Sequence, residues 1–271
     1  MSKRFLLYIL VIMGLIWNVG IVKGTATVSG TVSGTWLVTN SPYIVTGTVT
    51  VESGTTLTIE PGVVVKFATD TSLINYGTLL AIGNPNGTIS FTSNKDIPSP
   101  GDWQSIKFSG DTAKGTISYS LIQYARQAIY LHNTSRIVIS YNTIRHNKGN
   151  DGSNGTNEDS GTTGGIGTGI YLYLSTDNVI IGNIFLDNKG GKGGNQERLN
   201  SPGSGGIGCG IYLDSSDNNK IMDNNTIDNT GGTGNPDGNG VGIYCKSSVV
   251  SSLIYNNIYN NQTYNLQTDG T

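Results

Sequence analysis

The stretch Gly208–Asn229, "GCGIYLDSSDNNKIMDNNTIDN", decides the fold, because its pattern returns three more times. It runs as "AIYLHNTSRIVISYNTIRHN" from Ala128, "GIYLYLSTDNVIIGNIFLDN" from Gly169 and "GIYCKSSVVSSLIYNNIYNN" from Gly242. Take the Ile of each Gly/Ala-Ile-Tyr as position zero: Ile129, Ile170, Ile211 and Ile243. Position 10 is then Ile139, Ile180, Ile221 and Leu253. Position 13 is Asn142, Asn183, Asn224 and Asn256, and position 18 is Asn147, Asn188, Asn229 and Asn261. Such short β-rich segments cannot bury a face alone, but they can as successive coils of a solenoid. Like residues then stack at about 4.8 Å per rung. A side-chain amide both donates and accepts, so each asparagine can bond the rung on either side. Asparagine also tolerates the left-handed backbone of a tight corner, so these columns are expected both to form ladders and to turn the corners. They need no catalytic explanation.

The register extends upstream to Ile106, 23 residues before Ile129, with Ser120 and Ala125 roughly where later rungs carry asparagine. The later intervals are 41, 41 and 32 residues. The extra length falls each time after the second asparagine, in "KGNDGSNGTNEDSGTTGGIG", "KGGKGGNQERLNSPGSGGIG" and "TGGTGNPDGNG". Three glycine-rich loops therefore leave one corner of the solenoid.

Composition agrees. Among 271 residues, 39 are glycine and only 13% are charged, which suits one turn-rich all-β domain rather than a disordered chain or a helical bundle. With a net charge of −2 and no basic run beyond the first residues, nucleic acid is not expected as a partner. Lys3 and Arg4 precede an apolar run from Phe5 to Trp17, and "VKG" at Val22–Gly24 has the spacing of a cleavage site. Residues 1–24 are read as a signal peptide, an uncleaved anchor being the alternative, and no later segment could span a membrane. The exported body divides into opening coils over 25–100 and regular rungs over 101–271.

Ile-Tyr-Leu followed by Asn-x-Ile-x-x-x-Asn resembles the repeats of right-handed parallel β-helices of the pectin-lyase-like superfamily. The segments "SPYIVTGTVTVESGTTLTIEPGVVVKF" (Ser41–Phe67), "GTLLAIG", "ISFTS" and "GDWQSIKF" are similar to the opening coils of secreted members. The resemblance covers about residues 34 to 266 and implies fold and export. It implies no particular chemistry, because that superfamily includes lyases, hydrolases, adhesins and surface proteins. The calcium aspartates and arginine base of pectate lyases have no matching motif here, nor do the motifs of polygalacturonases. His132 and His146 have no Ser or Cys beside them that spacing would nominate as a nucleophile, and no metal-ligand spacing occurs.

With Ile at zero and Leu131, Leu172, Leu213 and Cys245 at position 2 facing inward, strand alternation turns Tyr130, Tyr171, Tyr212 and Tyr244 outward. They form an aromatic column about 14 Å long. Sugar rings pack against aromatic faces, so the four tyrosines are candidate residues for binding a polysaccharide or cell-surface glycan. High β-propensity explains a tyrosine column equally, and a protein-binding face is a third reading. Position 3 reads His132, Tyr173, Asp214 and Lys246; position 7 reads Arg136, Asp177, Asn218 and Val250. Catalysis, as a polysaccharide lyase or glycoside hydrolase, would center on Asp177, Asp214 and Lys246. Solvated strand residues are the plainer account of the same charges. No cofactor is expected beyond calcium held weakly by the loop acids Asp151, Glu158 and Asp159.

Alternation also turns Cys209 and Cys245 inward. Their Cα atoms are expected about 14 Å apart, beyond the roughly 7 Å that a disulfide bridges. A further rung is expected at Leu266, 23 residues after Ile243. That rung cannot be completed before Thr271, so the end of the stack is a fragment boundary, a pairing edge or a minimal cap.

Overall fold

The computed structural model describes residues 24–156, 159–195, 201–248 and 252–269. All of the expected leader except Gly24 lies outside them, as do Glu158 and Val250.

The chain winds as a parallel β-helix with three faces. The first face stacks Leu73–Asn75, Ile106–Ser109, Gln127–His132, Gly167–Tyr173, Gly208–Asp214, Gly240–Lys246 and Tyr264–Asp269 in order. The second runs from Gly34–Trp36 through Val138–Ser140 to Ser252–Ile254. The third runs from Val64–Phe67 through Thr143–Arg145 to Asn257–Tyr259. The long strand Tyr43–Val51 joins the third face to the first, pairing with Val65 at one end and Leu73 at the other.

The register is the one predicted. Ile106, Ile129, Ile170, Ile211, Ile243 and Leu266 pair in sequence, as do Ile139, Ile180, Ile221 and Leu253. The isoleucines of both columns, though not the 37% exposed Leu253, make one apolar core with Leu131, Leu172, Leu213 and Cys245, and with a Phe67–Trp103 stack whose centroids are 4.1 Å apart. Leu266, on the last described rung, is 46% exposed.

Both asparagine columns are ladders. Nδ2 of Asn142, Asn183 and Asn224 donates to Oδ1 of the next member at 2.9, 3.0 and 3.0 Å. In the second column Asn147, Asn188 and Asn229 do the same at 2.8, 3.0 and 2.8 Å. Most Oδ1 atoms, that of Asn188 excepted, also take a backbone amide of the preceding rung, as Asn183 takes that of Asn142 at 3.0 Å. The asparagines do not themselves turn the corners. The left-handed residue is the one before each: Tyr141, Gly182, Asp223 and Tyr255 in one column, His146, Asp187, Asp228 and Asn260 in the other.

Two shorter ladders follow the same rule. Asn178 donates to Asn219 at 3.0 Å after the left-handed corner at Asp177 and Asn218. Ser175 and Ser216 accept amides of Thr134 and Ser175 after the corner at Asn133, Leu174 and Ser215.

The described arms of the glycine-rich loops stack on one another. In the outgoing arms Gly149, Gly152 and Gly155 donate to the carbonyls of Lys189, Lys192 and Asn195 at 3.0, 2.7 and 2.9 Å. In the returning arms Gly161, Gly164 and Gly167 donate to Ser201, Ser204 and Ile207 at 3.1, 2.9 and 2.9 Å. Between the two layers, Gly191 donates to Gly165, Gly206 to Gly191, and Gly232 to Gly206, each at 2.8 Å. A hydrogen bond at every third residue is the period of an extended polyproline-II-type arm, which has no internal bonds and must find partners sideways. Arms this close leave no room for a side chain: a Cβ on Gly193 would stand 1.9 Å from the Gly203 oxygen. The signal was in the sequence as Gly-x-x-Gly spacing, at Gly149, Gly152, Gly155 and again at Gly161, Gly164, Gly167.

Candidate functional site on the first face

The glycine hairpins return directly into the strands of the first face, so they border its outer surface. The tyrosine column stands there in register, Lys107, Tyr130, Tyr171, Tyr212, Tyr244 and Gln267 in successive rungs. Its exposure is not uniform. Tyr130 and Tyr171 are half-buried, whereas Tyr212 and Tyr244 are 3% and 5% exposed. The expectation of four accessible rings is therefore corrected.

The reason lies one and two residues before position zero. Gly169, Gly210 and Gly242 point inward: a Cβ there would meet Phe185, Thr226 and Ile258 at 2.4, 3.0 and 2.2 Å. Two consecutive inward residues break the strand alternation, so the residue before them turns outward. Cys209 and Val241 accordingly lie outside the main core, in a second apolar cluster with Tyr212 and Tyr244 that Ile166, Ile207 and Tyr171 pack against. The inward placement expected for Cys209 is corrected; Cys245 does face the core, and both are buried free thiols. Tyr212 lies edge-on to Tyr171 and Tyr244, at 87° and 78°, and the Tyr244 hydroxyl donates to Asp269.

At the other end of the column the rings stand parallel. Tyr130 and Tyr171 stack at 5.1 Å and 8°, and beside them His132 and Tyr173 stack at 5.6 Å and 3°. The Lys107 ammonium sits 5.0 Å from the Tyr130 ring center. Burial, with Lys107 adding to it, holds the His132 imidazole below its ordinary pKa. Burial raises the phenols of Tyr130 and Tyr171 above theirs, with Asp214 contributing. With Tyr173 these rings form a two-by-two aromatic patch.

The candidate catalytic residues are only partly brought together. Asp214 follows Tyr173 in register and pairs with Lys246 at 3.0 Å. Asp177 is instead a corner residue with φ 55°, hydrogen-bonded by Thr176, and it joins neither. Asp151 is bonded by Lys148 and by the Lys192 amide; burial raises its carboxyl, but Lys148 and Lys192 together hold it below the ordinary value. Among the described residues no three acids, histidines or cysteines stand where they could hold a metal ion, and no helix is long and apolar enough to cross a membrane.

Residues 45–271 match the family described as right handed beta helix region. The chain is a right-handed β-helix protein. No curated protein and no solved structure matches it. This right-handed β-helix carries, on its first face, a border of stacked glycine arms beside an aromatic patch that covers two of the four expected rungs, those of Tyr130 and Tyr171.

Proposed function

We propose that the protein is an exported, non-catalytic glycan-binding module. The observation that carries this reading is the aromatic patch of Tyr130, Tyr171, His132 and Tyr173, flanked by Lys107 and bordered by glycine arms. Flat rings side by side suit the apolar faces of sugar rings, and the phenol and imidazole edges offer polar contacts to hydroxyls. Tyr212 and Tyr244 serve as a buried support rather than as contacts. A hydrolase or lyase reading would rest on the Asp214–Lys246 pair alone, because Asp177 sits apart at a corner. Export rests on the leader-like run at residues 3–24.

The test is calorimetric titration with hexasaccharides, beside assays for new reducing ends and for the absorbance of unsaturated uronates. Binding that disappears in Tyr130→Ala/Tyr171→Ala, without turnover, supports the reading. Turnover, or binding untouched by the double substitution, overturns it.

A further inference from the structure

Where the first glycine hairpin joins the first face, a depression of about 220 Å³ is lined by Gln104, Ser105, Arg126, Gln127, Asn150, Gly165 and Ile166. It opens in the outward column that holds Cys209 and Val241 lower down; Gln127 pairs with Thr168, and Thr168 with Cys209. The column changes character along the stack. It is apolar where Tyr212 and Tyr244 cover it and polar where the aromatic patch begins.

Three features mark this depression as built to hold something polar. First, four of its side chains, those of Gln104, Gln127, Asn150 and Ser105, are amides and a hydroxyl, groups that both donate and accept. Among the described residues no hydrogen bond engages the side-chain amides of Gln104, Gln127 or Asn150. Second, Nε of the lining residue Arg126 is a buried atom without a hydrogen-bond partner. A buried donor left unmatched is costly, and such groups call for an explanation. Third, the walls are rigid. Asn150 and Gly165 are bonded to each other across the hairpin at 2.7 Å, and the next hairpin holds Gly165 through Gly191.

The charge of the site selects among ligands. Arg126 is its one ionised lining residue, and its guanidinium is already paired with Asp70. What remains is neutral and multiply hydrogen-bonding, with Ile166 as an apolar flank. Gln127 and Tyr130 stand on one strand, about 10 Å apart at three residues' separation.

We propose that this depression is a subsite for one neutral sugar ring. The amides of Gln104, Gln127 and Asn150 and the Arg126 Nε–H engage its hydroxyls, while the adjoining sugar lies on Tyr130. The proposal rests on the glycan-binding reading of the face and adds to it a sugar class, neutral rather than uronic, and a place where that sugar is fixed.

The experiment titrates the full-length chain with cellohexaose, xylohexaose, mannohexaose and hexagalacturonate. A neutral hexasaccharide is expected to bind more tightly than hexagalacturonate. Gln104→Ala and Gln127→Ala are each expected to weaken that binding roughly 3- to 10-fold, the range of one net hydrogen bond. Lys220→Ala, on the second face, is expected to leave it unchanged, and thermal melts of every variant verify folding. Preference for hexagalacturonate overturns the subsite. So does full affinity in both glutamine variants while Tyr130→Ala/Tyr171→Ala loses binding; the aromatic reading then stands alone. No binding of any hexasaccharide by the unaltered chain overturns the reading of the face and the subsite with it.

Discussion

A Cβ on Gly167 would stand 1.7 Å from the carbonyl oxygen of Lys189, one rung away. The same contact recurs a rung later, where Gly208 faces the Thr230 oxygen at 1.7 Å. At these places the returning arm of one hairpin is pressed against the outgoing arm of the next, and neither backbone can move without breaking bonds on its other sides. The loops that border the binding face are therefore a packed wall.

Gly167→Ala and Gly208→Ala are expected to destabilise the fold by about 3 kcal/mol or more, because the obstacle is backbone rather than a side chain that can turn away. Gly54→Ala, at a left-handed turn with open space around it, is expected to cost about 1 kcal/mol. Denaturant midpoints compare the three; equal losses would show that the hairpins yield.

Asn183 is fully buried and bonds to Asn142, Asn224 and the carbonyls of Ile139 and Ile181. Asn183→Ala orphans several of these groups at once and is expected to cost about 3 kcal/mol or more. Asn261→Ala, on the partly exposed last rung, is expected to cost about 1 kcal/mol. Equilibrium unfolding of the two variants decides whether ladder position matters as this requires.

Tyr212 and Tyr130 share a column but not a role. Tyr212→Ala empties a buried site and is expected to lower stability by about 3 kcal/mol. Tyr130→Ala removes a half-exposed stacked ring and is expected to cost about 1 kcal/mol. Melting curves showing similar losses would place both rings in the same environment.

Burial pushes the Cys245 thiol up to about 11, and raises that of Cys209 further. A thiol so protected and so little ionised is expected to resist a disulfide reagent at pH 8 while the chain is folded. Both should react once it is unfolded in denaturant. Rapid labeling of the folded chain would show that the second cluster opens.

His132 is stacked on Tyr173 and held below its ordinary pKa by burial and then by Lys107. The folded state therefore binds this proton less readily than the unfolded one. Its contribution to stability is present above about pH 6.5 and declines as pH falls through that value toward the folded pKa. The proton resonances of His132 are expected to titrate below 6.5, and Lys107→Ala to move the midpoint upward. An unperturbed midpoint, or no response to the substitution, would remove the aromatic patch's protection of the imidazole.

The repeated Ile-Tyr, the apolar position 10 and the two asparagine columns were legible in the sequence because each depends on a single residue type recurring at a set distance. A solenoid stacks like on like, so period in the chain becomes contact in space. Leu266 could be assigned to a further rung for the same reason. The glycine arms were written just as plainly, at intervals of three, but a set of loops becomes a wall only when neighboring arms supply the hydrogen bonds that an extended arm lacks. The direction of Cys209 and the burial of Tyr212 were not legible at all. Strand alternation predicts Cys209 wrongly, because Gly210 turns inward beside Ile211, and only the closeness of Thr226 across the core shows that it does; Tyr212 does face outward, but it is covered in the cluster it forms with Cys209 and Val241. The depression beside Gln127 is likewise a product of tertiary structure. Gln104, Arg126 and Gln127 come from successive coils and Asn150 and Gly165 from a hairpin, and no local pattern records that winding the chain brings them to one place.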